Sequence, residues 1–290
     1  MEDTTLTKEQ KEAEELMFSL DKTTIEHWMT PWVKNALENY TIIPRDRPKT
    51  ISHLRHIHYG EEAIITASGP SLDDCLPYMK DFKGRIFATN STANPLIANG
   101  INPDWTVILD ADTYVANQFK DLNTKRMKMI LATYSAANAI KLFSIHLCWW
   151  FNIFDDRHWF LKEGLHIAFP TIDGLLASTC ASGAAARLAC TMGISKMYLV
   201  GFDFGFPGGR HRCTNYKKIA YAWIPDGIDQ YCIDRSEEKE IEGIKTTIKL
   251  QVAHAAISHM IHSLGGIEVI NCSKGLSMGF PRMEFKDAIK

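Results

Sequence analysis

The sequence predicts an α/β chain, with a mostly parallel sheet covered by helices on both faces and an N-terminal helical extension. Three observations carry that expectation. From about residue 61 onward, short apolar and β-branched runs alternate with segments of helical period. Several of these runs end in small or acidic polar residues, as strands do where a parallel sheet hands over to crossover helices. Residues 1–60 lack the alternation and show charged and aromatic residues at helical spacing instead.

Within residues 1–60, Thr7 and Gln10 make a capping-box pattern before a charged helix to about Leu20. A second helical pattern holds Ile25, Trp28, Trp32, Val33 and Leu37, and Pro31 is expected to open a separate helix after Thr30. His53, His56 and His58 lie close together, but no cysteine or carboxylate stands near them at ligand spacing, so structural roles are expected. The main domain is expected over residues 61–275. Ala63 to Ser68 predicts a strand, broken by Gly69 and Pro70, and Ser71 is placed to start a helix through Asp73, Asp74, Leu76 and Met79.

Arg85–Asn90 predicts a second strand, Ser91–Asn99 a helix stopped by Gly100, and Trp105–Asp110 a third strand. Further strands are expected at Met127–Ala132, Leu147–Ile153 and Leu165–Ala168. Ser178–Met192 predicts a helix of small residues closed by Gly193. Lys196–Phe204 predicts a strong strand, and residues 205–236, with weak periodicity, a loop or lid. Glu237–Leu264 predicts one long helix ended by Gly265 and Gly266, with His254, His259 and His262 exposed or half-buried. Ile267–Asn271 predicts the last strand, and residues 276–290 a C-terminal tail. The whole is a Rossmann-like organisation.

In such sheets ligands sit beyond the carboxyl ends of the strands, and the candidate site residues cluster there. Ser68, Gly69, Pro70 and Ser71 form a strand–turn–helix junction whose free N–H groups and helix dipole could hold a phosphate, or which could be a plain turn. Asn90 and Ser91 end the second strand, and Asp110 and Asp112 follow the third as candidate Mg²⁺ ligands. The small residues of the helix with Ser182 and Gly183 suit close packing or close approach to a ligand. Gly201 and Asp203 end the strong strand. His211, between two arginines, is either a surface residue or an acid–base group. Asn271, Ser273 and Lys274 close the last strand.

Composition narrows the setting. A chain of 290 residues with 46% apolar and 23% charged residues can bury one sizeable core. A net charge of −2 and the lack of any basic run argue against a nucleic-acid partner. Seven cysteines, at positions 75, 148, 180, 190, 213, 232 and 272, form no Cys-x-x-Cys pair and are expected as buried free thiols in a reducing compartment. The charged start is unlike a signal peptide, and no apolar run approaches the ~20 residues a span needs, so a cytoplasmic location is expected. Trp28, Trp32, Trp149 and Trp150, where exposed, are candidates for a contact between copies in a homo-oligomer.

The ordered motifs Gly69-Pro70-Ser71-Leu72, Ala98 through Asp104 leading to Asp110, and Tyr198 through Asp203 followed by His211 resemble the MptE-like superfamily. That group includes archaeal 6-hydroxymethyl-7,8-dihydropterin diphosphokinases and the central domain of Maf proteins, motility accessory factors that glycosylate flagellin with nonulosonic acids. The resemblance spans about residues 60–275. The block from Ala181-Ser182-Gly183 to Gly201-Phe202-Asp203-Phe204 is also similar to bacterial CMP-sialic acid-dependent sialyltransferases, which implies that Ser182 and Gly183 approach the nucleotide. Those enzymes have asparagine where this chain has Ser68 and tyrosine where it has Gly205.

The resemblance implies a nucleotide-dependent transferase. One form is a glycosyltransferase using a CMP-activated nonulosonic sugar, in which the turn at Gly69–Ser71 could stabilise the leaving phosphate and His211 deprotonate the acceptor hydroxyl, Asp203 being a second catalytic candidate. Another is an ATP-dependent pterin diphosphokinase, with Asp110 and Asp112 on Mg²⁺. A third is a nucleotide- or glycan-binding protein without catalysis. The acceptor is correspondingly a glycan, a protein hydroxyl or a pterin. On this expectation, replacing Ser71 or Asp203 with alanine abolishes ligand binding and leaves the fold intact.

Overall fold

A computed structural model describes residues 27–155, 158–176, 180–214 and 238–290. The helix expected to end near Leu20 lies outside these residues, as do Cys232 and most of the expected lid. Residues 27–42 form one helix, α1, which continues through Pro31. The expected break there is not found among the described residues.

The core is an eight-stranded sheet. Its strands are β1 (Glu62–Thr66), β2 (Arg85–Thr89), β3 (Trp105–Ile108), β4 (Met129–Ala132), β5 (Cys148–Phe154), β6 (Gly174–Leu176), β7 (Lys196–Val200) and β10 (Glu268–Asn271). They lie in the order β10-β7-β1-β2-β3-β4-β5-β6, and every adjacent pair is parallel. Chain order runs outward from β1 to β6 and then returns to place β7 on the other flank of β1. The switch point therefore lies between β1 and β7, with all connecting turns after the strands on one carboxyl edge.

Both faces are buried, which is why the strands are apolar almost throughout. Ile64 and Ile86 face a core that includes Leu72, Leu76 and Met79 of α2 (Leu72–Met79), together with Leu96 of α3 (Asn90–Ala98). Ala63, Ile65 and Phe87 face the opposite core, with Ala184, Ala185 and Leu188 of α6. Here α4 is Ala137–Ile140, α5 Leu165–Ala168 and α6 Ala181–Thr191. The left-handed Gly193 (φ +88°) ends α6 against Tyr59, where a Cβ would meet the Tyr59 backbone.

Three expectations are corrected. Leu165–Ala168 is helical, since an apolar run of four residues cannot be told from a helical turn by period alone. The long helix from Glu237 begins instead as a hairpin, β8 (Glu238–Ile241) and β9 (Ile244–Thr247), and only then becomes α7 (Ile248–His262). Glu242 and Gly243 both take positive φ (53° and 75°) in the two-residue turn, and the surrounding Ile and Thr favour strands. Residues 276–290, expected as a C-terminal tail, carry a helical turn packed on the domain. They include α8 (Phe285–Ala288), whose Phe285 is 2% exposed and packs edge-on against Tyr198.

The histidines of residues 53–58 have structural partners. His58 Nε2 accepts the indole N–H of Trp105 at 3.0 Å, and His53 Nδ1 accepts the N–H of Thr50 at 3.1 Å. Trp150 is 1% exposed and so leaves the set of surface tryptophans. The six described cysteines are free thiols, Cys75, Cys148, Cys213 and Cys272 being buried. Burial pushes the Cys148, Cys213 and Cys272 thiols up to about 12. No helix among the described residues is long and apolar enough to cross a membrane.

Candidate functional site

The carboxyl edge brings together most of the predicted site residues. The turn after β1 (Ser68–Ser71) meets the turn after β7 (Gly201–Phe204) across the switch point. Ala67 donates to Val200 O at 2.8 Å and Gly69 to Gly201 O at 3.0 Å, so the two loops continue the strand pairing. Gly69 has no alternative here, because a Cβ would run into the Asp203 carboxylate and the Gly201 carbonyl. Gly201 (φ +76°) abuts the Ala67 carbonyl in the same way.

Asp203 is 1% exposed. Its Oδ2 accepts the Ser71 N–H at 2.9 Å, and its Oδ1 accepts the Lys274 and Gly275 N–H groups at 3.0 and 3.1 Å. A buried carboxylate needs such donors. The geometry therefore gives Asp203 a structural duty: it welds the loops after β1, β7 and β10 into one unit, and it presents no oxygen to the edge. The expectation that its loss would spare the fold is corrected on this ground.

The turn offers fewer free donors than its sequence suggests. Gly69 and Ser71 spend their N–H groups as above, while Leu72 and Asp73 donate to Gly69 O and Pro70 O at 3.1 and 3.2 Å. What stays open is Ser68, whose hydroxyl has no hydrogen-bond partner among the described residues. The Ser71 hydroxyl and the Asn271 amide nitrogen are buried without a partner among the described residues. Ser273 is internal: its Oγ accepts the Phe202 N–H at 2.8 Å, and its own N–H goes to Asn271 Oδ1 at 2.9 Å.

Asn90 opens α3 and donates to Gln118 Oε1 at 2.7 Å, while the Ser91 hydroxyl pairs with that of Thr89 at 3.0 Å. Helix α6 lies across β1, β2 and β3. Its start is at the same carboxyl edge, since its end meets Tyr59 at the opposite edge. Cys180 at its N-cap makes no side-chain cap bond, and Ser182 Oγ pairs with Cys180 Sγ at 2.9 Å. The first N–H groups of a helix have no intrahelical acceptor, and those of Ala181, Ser182 and Gly183 have none among the described residues.

Asp110 and Asp112 form a compact acidic turn after β3. Asp110 Oδ1 accepts the Asp112 N–H, and Asp112 Oδ1 accepts the Tyr114 N–H, each at 2.9 Å. Burial holds the Asp110 carboxyl above the ordinary carboxylate range, partly opposed by its backbone bond to Asp112. Among the described residues no group of three or more His, Cys, Asp or Glu side chains gathers at metal-binding distance. A divalent ion on this pair would draw its remaining ligands from water and substrate phosphates.

His211 stands over the same edge in the segment after β7, with its ring 4.1 Å from that of Phe206. That segment is tied to the turn by Cys213 N–H to Ser68 O at 3.1 Å. Sequence reasoning missed the role of α1. Asn35 donates to Ala111 O at 2.9 Å, and Asn39 donates to Thr133 O and Ser135 O at 2.9 and 2.8 Å, which seats the helix over the ends of β3 and β4. Two asparagines four apart on an apolar helix face were the available signal. A separate cavity of about 330 Å³ opens at the amino edge, lined by Glu61, Glu62, Asp81 and Lys83 among others. It lies across the sheet from these groups, and its carboxylates suit no phosphate.

The model of the family described as 6-hydroxymethylpterin diphosphokinase MptE-like matches residues 34–209, more than half of the chain. The chain belongs to the MptE-like family. This MptE-like chain is similar in fold to the Maf glycosyltransferase from Magnetospirillum magneticum AMB-1. The TM-score is 0.58 at 16% identity, over 87% of this chain and 38% of that one. The chain thus spans well under half of that neighbour's length. A point variant of the sialyltransferase CST-II in complex with CMP matches more loosely, with a TM-score of 0.38 at 15% identity over 77% of this chain and 86% of that one. No curated protein matches the chain.

Proposed function

We propose that this MptE-like protein is a nucleotide-dependent transferase, and specifically a glycosyltransferase that takes a CMP-activated nonulosonic sugar. The observation that carries the reading is that the start of α6 (Ala181–Gly183), where Cys180 makes no side-chain cap bond, the open Ser68 hydroxyl and His211 all lie on the carboxyl edge of the sheet. The single phosphate of a CMP leaving group fits a helix N-terminus with adjacent hydroxyls. Ser182 and Gly183, rather than the saturated Gly69–Ser71 turn, would then receive that phosphate, with Ser68, Asn90 and Ser91 around the nucleoside. His211 would accept the proton of the acceptor hydroxyl. The similarity in fold to a Maf glycosyltransferase supports the choice of sugar transfer.

A second reading has its own support. The family description names a pterin diphosphokinase, and the Asp110–Asp112 turn could hold Mg²⁺ against an ATP diphosphate. Calorimetric titration with CMP and with a non-hydrolysable ATP analogue, each with and without Mg²⁺, separates the two. Metal-independent binding of CMP that weakens in Ser68→Ala and Ser182→Ala is the expected result. Binding of the ATP analogue alone, and only with Mg²⁺, would replace sugar transfer with diphosphate transfer. No binding in any arm would leave a protein of this fold without nucleotide chemistry.

A further inference from the structure

Asp73 sits in the first turn of α2 and had no part in the expected chemistry. Its carboxylate gathers donors from the segment after β7. Arg210 Nη1 donates to Oδ2 at 2.7 Å, the Thr214 N–H reaches both oxygens at 2.9 and 3.0 Å, and the Thr214 hydroxyl donates to Oδ2 at 2.8 Å. The same guanidinium turns its Nη2 to Pro70 O at 3.2 Å, and Cys213 N–H reaches Ser68 O at 3.1 Å. Residues 210–214 are thereby stapled onto residues 68–73 at both ends.

His211 lies between the two staples. A lone exposed ion pair is worth little, and the neighbouring Lys274–Asp74 contact, with both side chains nearly half exposed, is of that kind. Asp73 differs on three counts. Its side chain is only 17% exposed, it is engaged from a guanidinium, a hydroxyl and a backbone N–H at once, and it lies in the first turn of a helix, where the dipole favours its charge.

We propose that Asp73 is a positioning residue: by holding Arg210 and Thr214 on the first turn of α2 it fixes where His211 stands at the carboxyl edge. The catalytic consequence rests on the reading of His211 as the acceptor base, whereas the clamp itself does not.

The test uses the full chain with Asp73→Asn and Arg210→Ala. Hydrogen exchange of the Cys213 and Thr214 amides should quicken roughly tenfold or more in both variants, since local opening is governed by such contacts. The Ser71 amide, held by Asp203, should keep its protection. In the same variants the NMR resonances of the His211 ring should move. With a CMP-sugar donor, kcat should fall about 10- to 100-fold with the donor KM within about twofold, the pattern of a misplaced base rather than a lost binding site. Unchanged Cys213 and Thr214 exchange with unmoved His211 resonances would overturn the clamp. Faster exchange with unchanged kcat in an active enzyme would overturn the positioning role. If the wild type turns over no CMP-sugar, the sugar-transfer reading fails on its own, and the exchange and ring resonances still decide the clamp.

Discussion

The Oδ2 atom of Asp203 accepts the N–H of Ser71 at 2.9 Å, joining two loops 132 residues apart in the chain. The bond sits at the switch point of the sheet, where a ligand-binding crevice is expected in this class of fold. Here the crevice floor is closed by protein, and the free donors lie to its side, at Ser68 and the start of α6. Asp203→Ala leaves three N–H groups, two of them buried, without an acceptor and is expected to cost roughly 3–5 kcal/mol. Urea denaturation reads this directly. A variant with unchanged stability that had nevertheless lost CMP binding would return Asp203 to the chemistry.

The glycines around that bond should divide sharply. Gly69→Ala drives a Cβ into the Asp203 carboxylate and the Gly201 carbonyl, and Gly275→Ala drives one into the Asp203 backbone. Each is expected to cost roughly 2–4 kcal/mol, because backbone on both sides blocks relaxation. Gly208→Ala meets open space and has only its positive φ of 61° to oppose it, so about 1 kcal/mol is expected. Equal losses at Gly69 and Gly208 would mean that the loop junction is not tightly packed.

The sheet was legible because its signals are local. Every strand of the switch-point region is a β-branched or apolar run, and Ser68–Ser71, Asn90, Asp110, Gly201, Asp203 and Asn271 follow from their places at strand ends, whereas Ser182, Gly183 and His211 do not. What local pattern could not show was who partners whom. Ser71 and Asp203 both looked available to a ligand, yet the Ser71 N–H is spent on Asp203 Oδ2, and that pairing spans most of the domain. The hairpin at Glu242–Gly243 was obscured for another reason: Glu and Lys around it are good helix formers, and only the left-handed turn overrides them.

Asp110 provides a pH signature. Burial raises its carboxyl above the ordinary range in the folded state, so folding favours the protonated form. The sign is that of a raised carboxyl: its contribution is fully present below the unfolded value near ~3.9 and is lost as pH rises through the folded one. Asp110→Asn retains an oxygen for the Asp112 N–H and removes the buried charge. Thermal denaturation should find the variant more stable than the wild type at pH 7 and the gap shrinking toward acid pH. Should Mg²⁺ occupy the Asp110–Asp112 turn, it would stabilise the wild type and not the variant. A pH-independent difference would show that charge burial is not what Asp110 contributes.

Asn39 tests whether α1 is part of the site or a removable appendage. It is fully buried, and its Nδ2 bridges the carbonyls of Thr133 and Ser135 just beyond β4, while Asn35 holds Ala111 beside the acidic turn. Asn39→Ala strands two buried carbonyls and is expected to cost about 2–3 kcal/mol. Asn39→Asp should be at least as costly, since a carboxylate would face both carbonyls without a hydrogen to give. Because Asn39 holds the loop after β4, whose Ala136 N–H donates to Asp110 O at 3.0 Å, hydrogen exchange of the Asp112 and Tyr114 amides should also quicken in Asn39→Ala. Loss of stability with those amides unchanged would confine α1 to packing, whereas coupled loss would make the helix one wall of the carboxyl-edge site.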